Sequence, residues 1–234
     1  VDRIETFDDV KKSFDDLFLV AQVKRIHPEL KHLRVLYMLA SRCDRRFTPG
    51  EAVDIDIVTD FIGSLGFQSI SIVKPHSEAT MRNMPNAYVE DYTSNLISIV
   101  RGDIGWDDSV VFIAPDKGAK TWIDTLGVKP ILYGEKKRDP VTGTVAGVQI
   151  VGLEKWKEQV HFIIVDDLCD GGATFTTIAK EIKLTSPQAK VYLVVTHAIM
   201  SKGLKPFEGL IDRIYCTNSY ATFNDPLIKQ LDIQ

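Results

Sequence analysis

Cysteine is scarce in this chain: Cys43, Cys169 and Cys216 are the only three in 234 residues, and they are widely scattered. They form no metal-spaced pair and cannot all be disulfide-bonded, which excludes a disulfide scaffold and points to a reducing cytoplasm. Long apolar runs are also missing. Nothing approaches eighteen consecutive apolar residues, so no segment reads as a membrane span. The opening residues Val1, Asp2, Arg3, Ile4 and Glu5 show no basic region followed by an apolar one, so they do not read as a signal peptide. No initiator Met precedes them, and sequence upstream is expected to be missing. Positive charge is in short supply too. Lys and Arg number 28 against 32 Asp and Glu, giving a net charge of -4 and a pI of about 5.8. That balance argues against nucleic acid as a main partner. Any affinity for phosphate must therefore come from local arrangement.

What remains is an ordinary globular composition, 44% hydrophobic and 26% charged, at a length that suits one large α/β domain or two small ones. Val10, Phe14, Leu17 and Ala21 recur at helical spacing, predicting a helix over 7–26. Residues 33–39 read as a buried strand. Ile55, Val58, Ile62 and Leu65 line a second helix that Gly66 stops. Residues 69–73 form a short strand, and 88–100 a helix. The pattern restarts after Arg101, Gly102 and Asp103, with strands over 110–114 and 130–133 separated by a helix over 118–126. An outer strand is expected at 148–151, paired with the region near Val145. Strands follow at 162–165, 191–195 and 213–216. Strands alternating with helices imply parallel crossover units and a largely parallel sheet. Two βα blocks are expected, about 1–100 and 101–234.

The densest information lies at 162–175. An apolar run, 162–165, ends in two carboxylates, Asp166 and Asp167. After Leu168 and Cys169 come Asp170, Gly171, Gly172, Ala173 and Thr174, and then a helical face of Phe175, Ile178, Ala179 and Ile182. Taken alone, an Asp-Gly-Gly turn of this kind is a helix cap. Here the acid pair, the glycine pair and the hydroxyl fall in one frame. Buried strand, tight loop and helix N-terminus present backbone N–H groups and the positive end of a helix dipole to an anion. The glycines let the chain pass close to a phosphate. The aspartates would repel that phosphate, so they suit sugar hydroxyls or a divalent cation. In open α/β sheets ligands sit beyond the carboxyl ends of strands.

Four further stretches also follow predicted strands. Pro115, Asp116, Lys117 and Gly118 close the strand at 110–114, where Asp116 could reach a metal-bound ligand. Lys136, Lys137 and Arg138 follow the strand at 130–133. Three cations in a row are ordinarily a solvated face. Here Pro140, Gly143 and Gly147 suggest a mobile flap that reaches no regular structure until Val148, and a closing flap could neutralise a transferring phosphoryl group. Arg42, Asp44, Arg45 and Arg46 follow the first strand. His76 follows the strand at 69–73, although a single His is more often structural.

In this order the stretches resemble the ribose-phosphate diphosphokinase (phosphoribosyl pyrophosphate, PRPP, synthetase) family, which has the type I phosphoribosyltransferase fold. The resemblance covers nearly the whole chain. It implies two phosphoribosyltransferase-like α/β domains, the first on the ATP and metal side and the second carrying the ribose-phosphate loop and the catalytic flap. Arg42, Asp44, Arg45 and Arg46 match the ATP-contacting segment, with Cys43 where the family has Gln. His76 matches a metal-liganding histidine, with Lys74 and Pro75 in place of Asp and Leu. Asp116 matches the aspartate near the pyrophosphate and its metal, and Lys136 with Arg138 the catalytic pair. Asp166, Asp167, Asp170, Gly171, Gly172, Ala173 and Thr174 match the ribose-phosphate loop. Thr196 with His197, and Thr217 with Asn218, match late strand ends.

Three departures stand out. The family has more sequence before the first helix, including an aromatic residue lent to a neighbouring subunit. Its final helix and strand have no counterpart here. Gly171, Gly172 and Ala173 stand where Thr-Gly-Gly or Thr-Cys-Gly is usual, which would open the 5-phosphate pocket to a larger acceptor such as ADP-ribose. The resemblance implies Mg²⁺-dependent transfer of the diphosphate of ATP to a ribose phosphate in a cytoplasmic homo-oligomer, with AMP leaving. The alternatives are a phosphoribosyltransferase that consumes PRPP and a non-catalytic regulatory paralogue; the intact Lys136 and Arg138 count against the second.

Overall fold

The structure is a computed structural model that describes residues 3–6, 14–105, 110–138 and 145–234, with side chains for 14–105, 110–135 and 148–234. The chain divides into two compact units. The first comprises residues 1–92 with 219–222 and 234, and the second 93–218 with 223–233. The division falls at Tyr92 and Thr93, earlier than the expected 100/101.

The first unit holds a parallel sheet in the order β1 (Arg3–Thr6), β2 (His32–Val35), β3 (Ser69–Val73), β4 (Ala87–Glu90). Its helices are α1 (Phe14–Ile26) and α2 (Asp54–Ser64). The face of α2 predicted from spacing is the buried one, with Ile55, Val58 and Ile62 packed on Leu33, Val35, Ile70 and Ile72. Asp54 and Asp56 sit in its first turn, where the helix dipole favours negative charge. Gly66, at φ +72°, turns the chain away as expected.

Several expectations change here. The helix predicted over 7–26 is described only from Phe14, and residues 7–13 lie outside the described residues. The first strand ends at Val35 rather than 39, because the chain leaves the sheet into the long loop that carries the arginines. Residues 88–90, read as the start of a helix, instead belong to β4, which pairs with β3, and the helix begins at Thr93. Pairing with an available strand edge overrides the local helical spacing.

The second unit has seven strands in the order β11-β10-β9-β8-β5-β6-β7. They are β5 (Val110–Ala114), β6 (Ile131–Arg138), β7 (Val145–Ile150), β8 (His161–Cys169), β9 (Lys190–Ala198), β10 (Arg213–Thr217) and β11 (Ile228–Leu231). All neighbours are parallel except β6 and β7. The helices are α3 (Thr93–Ile104), α4 (Lys117–Ile123) and α5 (Ala173–Thr185). Leu96, Ile97 and Val100 of α3 cover one face of this sheet with Val110, Phe112 and Val194, so α3 belongs to the second unit. Phe175, Ile178, Ala179 and Ile182 of α5 cover the other face with Phe162, Ile164 and Leu193.

Two corrections bear on the candidate site. The stretch after Tyr133 is not irregular as far as Val148. β6 continues to Arg138 and pairs antiparallel with β7, Lys136 opposite Val148 and Arg138 opposite Val145, so the outer strand pairs with β6. Residues 139–144, including Asp139, Pro140 and Gly143, lie outside the described residues. A short strand that the spacing did not predict, β11, lies parallel to β10.

Candidate phosphate and sugar site

The strand expected over 162–165 runs on to Cys169. Asp166 and Asp167 thus belong to β8 and not to the loop after it, held there because pairing with β9 continues past them, Asp166 opposite Val195 and Leu168 opposite His197. The backbone N–H of Asp167 donates to Asp166 Oδ1 at 3.0 Å. Burial, then the carboxylate of Asp167 beside it, raises the Asp166 carboxyl well above the usual carboxylate range, and Asp116 adds to the effect. Two adjacent carboxylates, Asp167 buried and Asp166 half-buried, repelling each other in this way favour a proton or a cation between them. Asp167 is itself only 7% exposed.

Asp170 and Gly171 then form a bend and Gly172 leads into α5 at φ +76°, with no side chain capping the helix. The first i to i−4 bond of the helix is Thr176 N to Gly172 O at 3.0 Å. The first-turn amides of α5, including those of Ala173 and Thr174, therefore lack intrahelical acceptors. An uncapped helix start of this kind can accept an anion.

The loop is buttressed by a segment the sequence reading passed over. A Cβ at Gly172 would lie 2.8 and 3.0 Å from Cε1 and Cε2 of Phe207, so only glycine fits under that ring. A Cβ at Gly171 would meet Cδ and Cε of Lys202, both at 3.4 Å. The space that Gly171 leaves is thus bounded by a lysine stem rather than open. Met200 (φ +52°) and Gly203 (φ +66°) frame a turn closed by Gly203 N to Met200 O at 2.8 Å, which places Lys202. Lys202 is a candidate that no motif announced.

Beside β8, β5 delivers Pro115 and Asp116. Asp116 caps α4, its Oδ1 accepting from Ala119 N at 2.9 Å. That bond orients the carboxylate and leaves its second oxygen for a ligand. Lys117, also missed, lies 5.7 Å from the centre of the Tyr133 ring and 4.0 Å from Glu135 Oε1 on β6. Gly134 makes the closest approach here, since a Cβ on it would fall 2.6 Å from Pro115 O and 2.7 Å from Val148 Cγ1. Lys136 and Arg138 are placed on the β6–β7 hairpin by their backbone, and their side chains lie outside the described residues.

Thr196, His197 and Thr217 are buried at the adjoining strand ends. Thr217 Oγ1 donates to Thr196 O at 2.7 Å, and Asn218 binds Asp232 Oδ1 at 2.7 Å and Ile233 N at 2.9 Å. These residues hold the sheet's edge to the last strand. The two buried cysteines are inert: burial pushes Cys169, with Asp166 and Asp170 adding to it, and Cys216 up to about 12.

In the first unit, the β2–α2 loop carries Arg42, Arg45 and Arg46 exposed, and Lys74 and His76 follow the end of β3. β2 and β3 are parallel neighbours, so both loops leave the same sheet edge. The structure brings Asp44 and His76 together. Burial works to raise the Asp44 carboxyl, but hydrogen bonds from Arg45 and Ser77, and the charges of Arg45 and His76, outweigh it and lower it. Arg45 Nε donates to Asp44 Oδ1 at 3.0 Å. Ala40 (φ +59°) and Lys74 (φ +34°) occupy left-handed backbone just past these strands, as Met200 does past β9. Strained non-glycine residues of this kind gather at ligand sites.

Magnesium fits the residues present. It takes hard oxygen ligands, commonly one or two carboxylates with phosphates completing the shell. The raised carboxyl of Asp166 beside Asp167 is a pair that a divalent cation would relieve. Among the described residues no group of three His, Cys, Asp or Glu side chains forms a ready-made metal cluster.

No protein-family model matches the chain. Curated relatives include a ribose-phosphate pyrophosphokinase of Sulfolobus acidocaldarius, 29% identical over 168 residues, which are 70% of this chain and 55% of the relative. A ribose-phosphate pyrophosphokinase of Aeropyrum pernix is 27% identical over 207 residues, 84% of this chain and 64% of the relative. The chain thus spans between about half and two thirds of these relatives. The crystal structure of phosphoribosylpyrophosphate synthetase from Mycobacterium smegmatis superposes with a TM-score of 0.77 at 20% identity, over 94% of this chain and 73% of that one. The fold is therefore the paired parallel α/β arrangement of that enzyme.

Proposed function

We propose, from this kinship with the ribose-phosphate pyrophosphokinases, that the chain is a Mg²⁺-dependent diphosphokinase. The anomeric hydroxyl oxygen of a ribose 5-phosphate unit attacks the β-phosphorus of ATP. The bond from that phosphorus to the α,β-bridging oxygen breaks, AMP leaves with the bridging oxygen, and the hydroxyl proton is released. The observation that carries the reading is the end of β8: an acid pair, a glycine turn and an uncapped helix start in one frame.

The amides of residues 170–174 are assigned to the 5-phosphate, with Thr174 adding a hydroxyl donor. Asp166 and Asp167 are assigned to the ribose 2- and 3-hydroxyls or to a sugar-side Mg²⁺. Arg42, Asp44, Arg45, Arg46 and His76 are assigned to ATP and its metal, and Asp116 to the metal at the pyrophosphate. Lys136 and Arg138 would offset the charge that develops on the transferred group. Bound Mg²⁺ supplies charge neutralisation on the phosphates. The chain's part is to hold two polyanions in line, because phosphoryl transfer depends on positioning and electrostatics more than on covalent catalysis.

The test is AMP release from ATP and Mg²⁺ with ribose 5-phosphate or ADP-ribose as acceptor. Release that depends on the sugar supports the reading, and ATP binding without turnover removes it. A second reading, ADP-ribose as the true acceptor, is favoured by Gly171, which bears no side chain where the loop meets the phosphate tail, and by the cation alongside it.

A further inference from the structure

We infer that Lys202 is the residue that selects an acceptor with a diphosphate, rather than a monophosphate, on its ribose 5-carbon. The inference rests on the assignment of residues 170–174 to the sugar's phosphate. The start of α5 supplies amides for one phosphate group, and Thr174 a hydroxyl. Nothing in the loop itself is cationic, while Asp166, Asp167 and Asp170 are all acidic. A second phosphate on the same tail would meet net repulsion unless a cation stood beside the loop.

Lys202 stands there. Its Cδ and Cε lie 3.4 Å from the position a Gly171 side chain would take, and its Cγ 3.7 Å. The stem thus runs along the face of the loop that glycine leaves bare, with the ammonium one bond beyond Cε. Its backbone lies in the Met200–Gly203 turn, and Phe207, a few residues on, lays its ring on Gly172. Lys202 is exposed and, among the described residues, makes no ion pair. A cation whose stem lies beside the loop is placed to meet an anionic ligand there. A Cβ at 171 would only touch that stem, at 3.4 Å, whereas a longer side chain would reach into the space beside it.

The test is calorimetric titration of the full chain, with Mg²⁺ and without ATP, using ribose 5-phosphate and ADP-ribose. Lys202→Met keeps the stem against Gly171 and removes the charge; Lys202→Arg keeps both. The wild type is expected to bind ADP-ribose more tightly. Lys202→Met should lose about tenfold to a hundredfold for ADP-ribose and no more than about threefold for ribose 5-phosphate, and Lys202→Arg should keep most of the preference. Equal losses for both sugars, no loss for either, or a wild type indifferent between them would each overturn the inference. A wild type that prefers ADP-ribose but releases no AMP from ATP would instead sink the diphosphokinase reading and leave the role of Lys202 supported.

Discussion

The ring of Phe207 lies so close on the α-carbon of Gly172 that a methyl group there would come within 2.8 Å of Cε1. Position 172 also has φ +76°, which an L side chain adopts only with strain. Gly172→Ala should therefore destabilise the protein by about 2 kcal/mol or more and weaken sugar-phosphate binding with it. Urea unfolding measures the first and titration the second. Adding Phe207→Leu should recover part of the loss; strict additivity of the two changes would mean that the contact is not what excludes the methyl group.

Arg34 and Glu90 join β2 to β4 across the middle of the first sheet. Arg34 is 4% exposed, and its Nη2 reaches Glu90 Oε2 and Tyr92 Oη, both at 2.9 Å. Removing one partner of a buried pair leaves the other charge stranded. Because Glu90 retains some exposure, Glu90→Ala is expected to cost about 2–4 kcal/mol rather than the full range for buried pairs. Burial acts to raise the Glu90 carboxyl, but hydrogen bonds from Ser71, Arg34 and Tyr92 outweigh it and lower it. A carboxyl lowered in the folded state adds stability above its unfolded value, and that stability is lost as pH falls through the folded value. Stability of the wild type should thus drop on acidification below about pH 4.5, and Glu90→Gln should flatten that part of the profile. An unchanged acid limb in the variant would assign the drop to other groups.

Asp166→Asn separates function from stability. The carboxyl is raised by burial and by Asp167, so the unpaired charge opposes folding at neutral pH. With Mg²⁺ removed, the variant should gain about 1 kcal/mol, or about 2–4 °C in melting temperature, while losing acceptor binding in the presence of Mg²⁺. A variant that is both less stable and fully active would contradict the assignment.

Lys136→Ala should lower turnover about a hundredfold to a thousandfold and change sugar affinity by less than about threefold, the signature of an interaction made in the transition state. Steady-state kinetics beside equilibrium titration supplies both numbers. Loss of affinity equal to the loss in turnover would make Lys136 a binding residue only.

Thiol reagents offer a direct check on the core. Cys169 and Cys216 are buried and Cys43 is exposed. Alkylation of the native protein should stop at one modified site, Cys43, with the other two reacting only after denaturation. Burial and the nearby Asp54 raise the Cys43 thiol too, so even that site should react slowly at neutral pH.

How much could be read in advance followed from where the deciding contacts lie along the chain. The buried faces of α2 and α5, the limits of β3 and the turn at Gly66 are set by near neighbours, and periodicity revealed them. β1, β4 and β11 have four residues each and form only because a strand edge waits for them, so local pattern gave no sign of them. The two aspartates looked like the end of a strand because charge ordinarily leaves a sheet, yet β9 continues to pair with that stretch. Residues 170–174 were recognisable as a unit because they are contiguous. Lys202 was not, since its meaning depends on a glycine distant in sequence that its stem lies beside.

Gly134 has a wider reach than its size suggests. Its α-carbon fills the gap between the carbonyl of Pro115 and a methyl of Val148, so the root of the β6–β7 hairpin and the turn leading to Asp116 rest on one another. Two stretches that look independent in the sequence are mechanically a single hinge pin. A bulkier residue at 134 would mimic a double lesion, disturbing the capping carboxylate and the strand bearing Lys136 and Arg138 together, although it touches neither.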